Sequence, residues 1–239
     1  MLKNNRGFTL IELSIVLVII GLIIGGIVAG QSLVRQSQIT SIMTDIQRYA
    51  QAVDSFNQKY GALPGDFATA TSYWSTSGNG NGDGQVTVGE SFRFWQHLAN
   101  ASLIEGSYSG VSGSGGLGIF DHVIGTNAPK SKINNSGYGV TWVGVKSGVT
   151  ADTNYFDGSY KHAMIFGNYS TNNLPVTAAL TTDEMLGFDS KYDDGSPSTG
   201  KILTWKLTTG YTPSCATSVT AYNIASKGLK CSLVMPLDF

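Results

Sequence analysis

Hydrophobic and polar positions divide the first sixty residues into two unlike halves. Residues 13–33 hold no charged side chain and consist mainly of Leu, Ile, Val, Gly and Ser. At about 1.5 Å of rise per residue, such a run spans a hydrocarbon core of about 30 Å as one helix. Beyond it a helical period takes over, with Ile39, Ile42, Met43, Ile46, Tyr49, Ala50, Val53, Phe56 and Tyr60 at steps of three and four. The opposite face carries Arg35, Gln38, Thr44, Asp45, Gln47, Arg48, Asp54 and Lys59. One apolar stripe with a polar back predicts a helix half-buried against a soluble partner. Gly61 and Pro64 then end it, so residues 8–60 are expected to form one helix of about 80 Å.

The remaining chain shows shorter patterns. Residues 139–146, 161–167, 176–180 and 201–208 read as strands separated by Asn, Gly and Ser clusters. In the last of them Ile202, Thr204 and Lys206 alternate with Leu203, Trp205 and Leu207, which predicts one buried face. An antiparallel sheet is therefore the expected partner for the helix stripe. Asp66 is placed to cap a short helix bearing Phe67, Ala70, Tyr73 and Trp74, and Phe94, Trp95, Leu98 and Leu103 suggest another running to about residue 100. Residues 106–118 are nearly all small and read as a surface loop.

One carboxylate interrupts the greasy end of the chain. Glu12 follows Arg6-Gly7-Phe8-Thr9-Leu10-Ile11, and a bare charge inside a membrane costs at least about 2.5–3.5 kcal/mol. Snorkelling to the membrane edge is one way to offset that cost. The other is an ion pair with a cation in the same layer, and a free amino terminus created beside Glu12 supplies one.

This stretch resembles the amino-terminal signature of type IV pilins and of the pseudopilins of type II secretion. Residues 1–7, with Lys3 and Arg6 as the leader's charges, match the short basic leader, and Gly7 matches the residue before the cut. Phe8 matches the new first residue, which is N-methylated in that family, and Glu12 matches the acidic residue five places in. The resemblance implies a prepilin peptidase that also methylates, an inner-membrane assembly platform, and other pilin subunits as partners. It implies residence in the bacterial inner membrane followed by a periplasmic or extracellular filament. Lys3 and Arg6 hold the leader cytoplasmic by the positive-inside rule. An ordinary secretory signal fits less well, since its apolar region runs about 7–15 residues and Ile27-Val28-Ala29 is a poor cleavage site. Gly21, Gly25, Gly26 and Gly30 leave two roles open, close helix packing or backbone softening during assembly.

Composition narrows the rest. In 239 residues there is room for one membrane segment and one globular domain. A net charge of −1 with 13% charged residues gives no global field for nucleic acid. Cys215 and Cys231, both near the carboxyl end, fit an oxidising compartment. Type IV pilins commonly staple a carboxyl-terminal loop with such a bridge, and two buried thiols are the alternative.

Residues 79–90 read Asn-Gly-Asn-Gly-Asp-Gly-Gln-Val-Thr-Val-Gly-Glu. On the twelve-residue EF-hand loop they supply oxygens from Asn79, Asn81 and Asp83 at positions one, three and five. Gly84 falls at six, the Gln85 carbonyl at seven, Thr87 at nine and Glu90 at twelve. Asn79 stands where Asp is usual, so the expected ligand is Ca²⁺ in the weak extracellular class, about 10⁻⁴–10⁻³ M. A glycine-rich turn is the competing reading. Asp189, Asp193 and Asp194 pose the same question on a smaller scale, and there an Asp-Gly turn with Lys191 neutralising a carboxylate is favoured.

His97, His122 and His162 lie far apart, with no HExxH pair, no nucleophile elbow and no phosphate-cradling loop. The expectation is an α+β, pilin-like protein, not an enzyme: a leader at 1–7, a transmembrane or filament-core half-helix at 8–34, an amphipathic half at 35–60 and a head at 61–239. Its expected role is a structural subunit of a type IV pilus-like or type II secretion pseudopilus filament. A low-abundance minor pilin, tip adhesin or binding module on the same scaffold is the alternative, and a membrane-anchored periplasmic enzyme a remote one.

Overall fold

The structure, a computed structural model, describes residues 7–113, 121–146, 155–205 and 215–239. Helix α1 is Leu10–Tyr60, α2 is Val88–Asn100 and α3 is Thr182–Tyr192. The strands are β1 Ser136–Trp142, β2 Val145–Lys146, β3 Gly158–Ser159, β4 His162–Asn168 and β5 Leu180–Thr181. They continue with β6 Leu203–Thr204, β7 Ala216–Ser218, β8 Ala221–Tyr222, β9 Leu229–Cys231 and β10 Leu233–Leu237. The chain divides into two compact units, Met1–Thr40 and Ser41–Phe239. A long apolar amino-terminal helix followed by an antiparallel sheet makes the fold α+β, consistent with a pilin-like architecture.

In the first unit every large aliphatic side chain of α1 up to Val34 is exposed, from Ile20 at 47% to Leu10 at 88%. This segment is long and apolar enough to cross a membrane. In the second unit the amphipathic stripe is buried at Ile42, Met43, Ile46, Tyr49, Val53 and Phe56. Ala52 is buried and Ala50 only half-buried, since the stripe widens on one side of the expected seam. Helix α1 ends where Gly61 donates its N–H to Asn57 O at 2.8 Å.

The main sheet runs β1-β4-β10-β6, all antiparallel, with Tyr138 opposite Phe166 and Leu233 opposite Phe166 on the other side. Strand β4 is buried along six of its seven residues, because both of its faces are covered. On one face Phe166 packs against Tyr138, and Tyr138 meets Tyr49 of α1 edge-on at 5.3 Å. Tyr49 also meets Trp95 of α2 at 5.0 Å, and the Tyr138 hydroxyl donates to Asp45 at 2.9 Å. On the other face Ala163 and Ile165 join Leu174, Val176, Leu203, Trp205 and Val234 in a second core layer.

Several expectations change here. Ile202, Leu203, Thr204 and Trp205 are all buried, so the predicted alternation with one buried face fails where the sheet is covered on both sides; Lys206 and Leu207 lie outside the described residues. The predicted strand at 176–180 is a strand only at Leu180–Thr181, although Thr177 bridges Asn168. Asp66 caps no helix: the residues after it form a short 3₁₀ turn at Ala70–Ser72, preceded by Thr69. Helix α3 and the carboxyl-terminal strand β10 were not anticipated.

Candidate functional site

Two places carry the chemistry anticipated from the sequence. The first is the start of α1. Gly7, Phe8 and Thr9 precede the helix and are exposed, so the Gly7–Phe8 peptide bond is in accessible, non-helical backbone. Lys3 and Arg6 lie outside the described residues. The N–H and hydroxyl of Thr9 both donate to Glu12 Oε2, at 2.8 and 2.7 Å, and Glu12 N–H donates back to Thr9 Oγ1 at 3.3 Å. This is a capping box, in which the carboxylate satisfies a donor that the helix leaves orphaned. Glu12 is thus held one turn from its own helix end, near the residue that cleavage turns into a terminus.

The second place is the loop at residues 79–90. Of the residues expected to bind a cation, Asp83 and Glu90 come together, each placing an oxygen within 4.8 Å of the other, and Asp66 joins them from outside the loop. Asp66 Oδ1 accepts the N–H groups of Gly82 at 2.6 Å and Asp83 at 3.1 Å, and Oδ2 accepts that of Gly84 at 2.8 Å. Gly84, at the sixth place, has φ +81°, a conformation that favours glycine. Gly80 is equally constrained, because a Cβ there would collide with the Asp66 backbone. Glu90 accepts Asn81 N–H at 2.9 Å through Oε1, and through Oε2 it closes a capping box with Thr87 at the start of α2.

Asn81 holds Asp83 through both its amide atoms, and the Asn79 carbonyl oxygen accepts Thr71 N–H at 2.9 Å. Asp66, which the sequence register did not include, stands beside Asp83 and Glu90. Burial pushes the Asp66 carboxyl above its usual range, the nearby Glu90 charge adds to this, and the three N–H donors oppose it. Asp66, Asp83 and Glu90 gather three carboxylate oxygens whose mutual repulsion a hard divalent cation would relieve.

Histidines absent from the expected site hold it in place. His97 Nδ1, on α2, accepts Gly65 N–H at 2.9 Å, and its Nε2 pairs with Gly78 O at 2.9 Å. These glycines precede Asp66 and Asn79, so one ring ties together the arm and the loop. His162 Nε2, on β4, accepts Val86 N–H at 3.0 Å and fixes the loop's far side. Each accepting nitrogen must be unprotonated, which makes both rings neutral with the proton on the other nitrogen.

Burial lowers all three histidines, His97 to about 4 and His122 to about 3. A depressed histidine contributes stability that is present above its unfolded value near 6.5 and is lost as pH falls through the folded value. We expect ¹⁵N NMR at pH 5 to show His97 as the neutral Nε2–H tautomer, with stability falling between about pH 6.5 and 4. A doubly protonated ring at that pH would contradict this geometry.

Asp189, Asp193 and Asp194 also bring oxygens within 4.8 Å of one another. Each is engaged by the segment that follows α3, Asp189 by Tyr222 of β8 as well. Asp189 accepts from Tyr222 hydroxyl at 2.6 Å and Gly195 N–H at 3.2 Å, Asp193 from the N–H groups of Lys201 and Ile202, and Asp194 from Ser196 N–H and the Thr199 hydroxyl. The Lys191 ammonium lies over the Tyr192 ring, 5.0 Å from its centroid. Cys215 and Cys231 are bridged, with both sulfurs in fully buried residues.

Asp66 was missed because it enters the cluster from 16 to 18 residues upstream of the loop groups it holds. The only sequence signal was the neighbourhood of an acidic residue to glycine and proline, which reads equally well as a turn.

The sequence at the helix start matches a known family model. Residues 2–28 match the family model described as the prokaryotic N-terminal methylation motif. No curated protein and no solved structure matches the chain. The matched residues include Gly7, Phe8, Thr9 and Glu12. The chain therefore carries at its amino terminus the type IV pilin and pseudopilin signature.

Proposed function

We propose that this chain is made as a prepilin, cleaved between Gly7 and Phe8, methylated on Phe8 and held in the bacterial inner membrane with its head outside. An assembly platform then draws it into a type IV pilus-like or type II secretion pseudopilus filament, where it is a structural subunit. The observation that carries this is the methylation motif at residues 2–28, placed on the accessible start of a long helix whose apolar half is exposed. Burial of that half against lipid first, and against other subunits afterwards, provides the driving force. Glu12 neutralises the amine of Phe8, within one subunit or in a neighbour. Filaments sheared from cells should contain the chain. Its exclusive recovery with the membrane, in cells that make filaments, would count against the reading.

A non-catalytic role agrees with the use of the histidines, whose ring nitrogens hold backbone groups at Gly65, Gly78, Val86 and Phe239 or the Ser91 hydroxyl. A low-abundance tip or binding subunit on the same scaffold is the second reading. It is favoured by an open cleft of about 470 Å³ lined by Asn57, Tyr60, Phe67 and Thr69, beside the exposed ring of Tyr73. Abundance relative to the filament separates the two, since a shaft subunit must be made in large excess.

Calcium belongs to the same proposal, held by Asp66, Asn81, Asp83, Glu90 and the Gln85 carbonyl outside the cell. Saturation at about ten to a hundred times the Kd stabilises by about 1.4 to 2.7 kcal/mol. That raises the Tm of a domain this size by about 3 to 10 °C. Glu90→Gln should abolish the shift while keeping the capping box. An unchanged Tm on chelation in the unaltered protein would refute the assignment.

A further inference from the structure

The loop at 79–90 contains the only two Asn-Gly pairs in the chain, Asn79-Gly80 and Asn81-Gly82. Asparagine before glycine is the sequence most open to attack on its own side chain, because glycine leaves the following backbone nitrogen unshielded. Both asparagines are exposed to water. Both glycine nitrogens, however, are engaged. Gly80 N–H donates to Phe67 O at 3.0 Å, and Gly82 N–H donates to Asp66 O at 3.1 Å and to Asp66 Oδ1 at 2.6 Å.

The side-chain amides are engaged as well. Asn79 Oδ1 accepts Thr71 N–H at 2.9 Å. Asn81 Oδ1 accepts Asp83 N–H at 3.0 Å, and its Nδ2 donates to Asp83 at 2.9 Å. Because Gly80 packs on the Asp66 backbone with no room for a Cβ, the loop cannot swing into the attacking geometry while the arm at residues 65–67 stays seated.

We propose that Asn79 and Asn81 are latent modification sites, kept as asparagine by the arm at Asp66–Phe67 and converted to aspartate or isoaspartate when that arm lifts. In the reaction the glycine nitrogen bonds to the asparagine Cγ, the Cγ–Nδ2 bond breaks, and the glycine amide proton leaves with the nitrogen as ammonia. Water then adds to either carbonyl of the resulting succinimide and reopens it. The balance is one water consumed and one ammonia released per site, with no other reactant.

Each conversion adds a carboxylate beside Asp66, Asp83 and Glu90, so an opened loop is altered irreversibly and its charge records the opening. This depends on the arm alone and holds whether or not the loop binds a cation or the chain enters a filament. The rate in the native protein follows the fraction of time the arm is open.

The test is peptide mass spectrometry of the purified full-length chain incubated at neutral pH, natively and in urea. Native protein should convert at both sites at least about tenfold more slowly than unfolded protein, the equivalent of roughly 1.4 kcal/mol of local protection. Asp66→Ala should speed conversion at Asn81 more than at Asn79, since Gly82 loses a side-chain partner and Gly80 keeps Phe67 O. Asp66→Asn, whose amide oxygen still accepts, should lie between. Circular dichroism shows whether each variant is folded. Native protection below about twofold over urea overturns the proposal whatever the variants do, as does a folded Asp66→Ala protein that converts Asn81 at the unaltered rate.

Discussion

Glu12→Ala should leave membrane insertion intact and reduce incorporation into filaments by at least about a hundredfold, because an unpaired buried charge costs about 3–5 kcal/mol. Insertion is spared because the substitution removes the one acidic group at the greasy end of the helix and so lowers the cost of entering lipid. Incorporation is lost because the ammonium of Phe8 would then be buried without a counter-charge. The capping box offers a rival explanation, since Glu12 also accepts Thr9 N–H and its hydroxyl. Loss of a cap costs only about 1 kcal/mol.

Glu12→Gln separates the two effects. Its amide oxygen preserves the bonds to Thr9 and discards the charge. Both variants should fail equally in filament assays if charge neutralisation is the requirement. Normal assembly of Glu12→Gln alongside failure of Glu12→Ala would assign the role to the cap instead.

Replacing both cysteines by alanine should destabilise the head by about 3 kcal/mol, the cost expected when a loop of some fifteen residues is released in the unfolded chain. The separation of Cys215 and Cys231 is 16 residues, and alanine avoids burying two hydroxyls at fully buried positions. The bridge also ties the residue before β7 to the end of β9. Cys231 ends β9, which pairs with β5, while Cys215 Sγ accepts the Thr204 hydroxyl of β6 at 3.3 Å. For a chain of this length the loss lowers Tm by about 6 to 12 °C. Thermal melts of oxidised and alanine-substituted protein test this. Equal melting temperatures would mean that the surrounding strands alone hold the loop.

What the residues announced in advance follows from how far each pattern extends. Helix α1 was legible because its period persists from Ile39 to Tyr60, long enough for chance spacing to average out. Helix α2 was legible from Phe94, Trp95 and Leu98, and the structure adds the capping box of Thr87 with Glu90 that opens it. The same signature, Thr181 with Glu184, opens α3, but Gly187 and the polar run Asp189-Ser190-Lys191 leave little apolar period behind it. Strand β10 holds Pro236, a residue that argues against a central strand, yet the strand lies between β4 and β6. Strands of two or three residues such as β2, β3 and β8 are too short to show any alternation.

The candidate sites divide along the same line. Gly7, Phe8 and Glu12 are contiguous in sequence, and the spacing of Asp83 and Glu90 is fixed within one loop, so each could be read locally. Asp66 reaches that loop through its own bonds to Gly82, Asp83 and Gly84, with His97 holding both Gly65 and Gly78 beside it. Such an encounter is set by packing and leaves no local trace.

The most direct test of the whole account is amino-terminal sequencing, with intact mass, of the protein recovered from its membrane or filament. A chain beginning at N-methylated Phe8 is the result expected. A chain that keeps residues 1–7, or begins after Ala29, would mean that no amine is ever made beside Glu12, and the account would be wrong at its root.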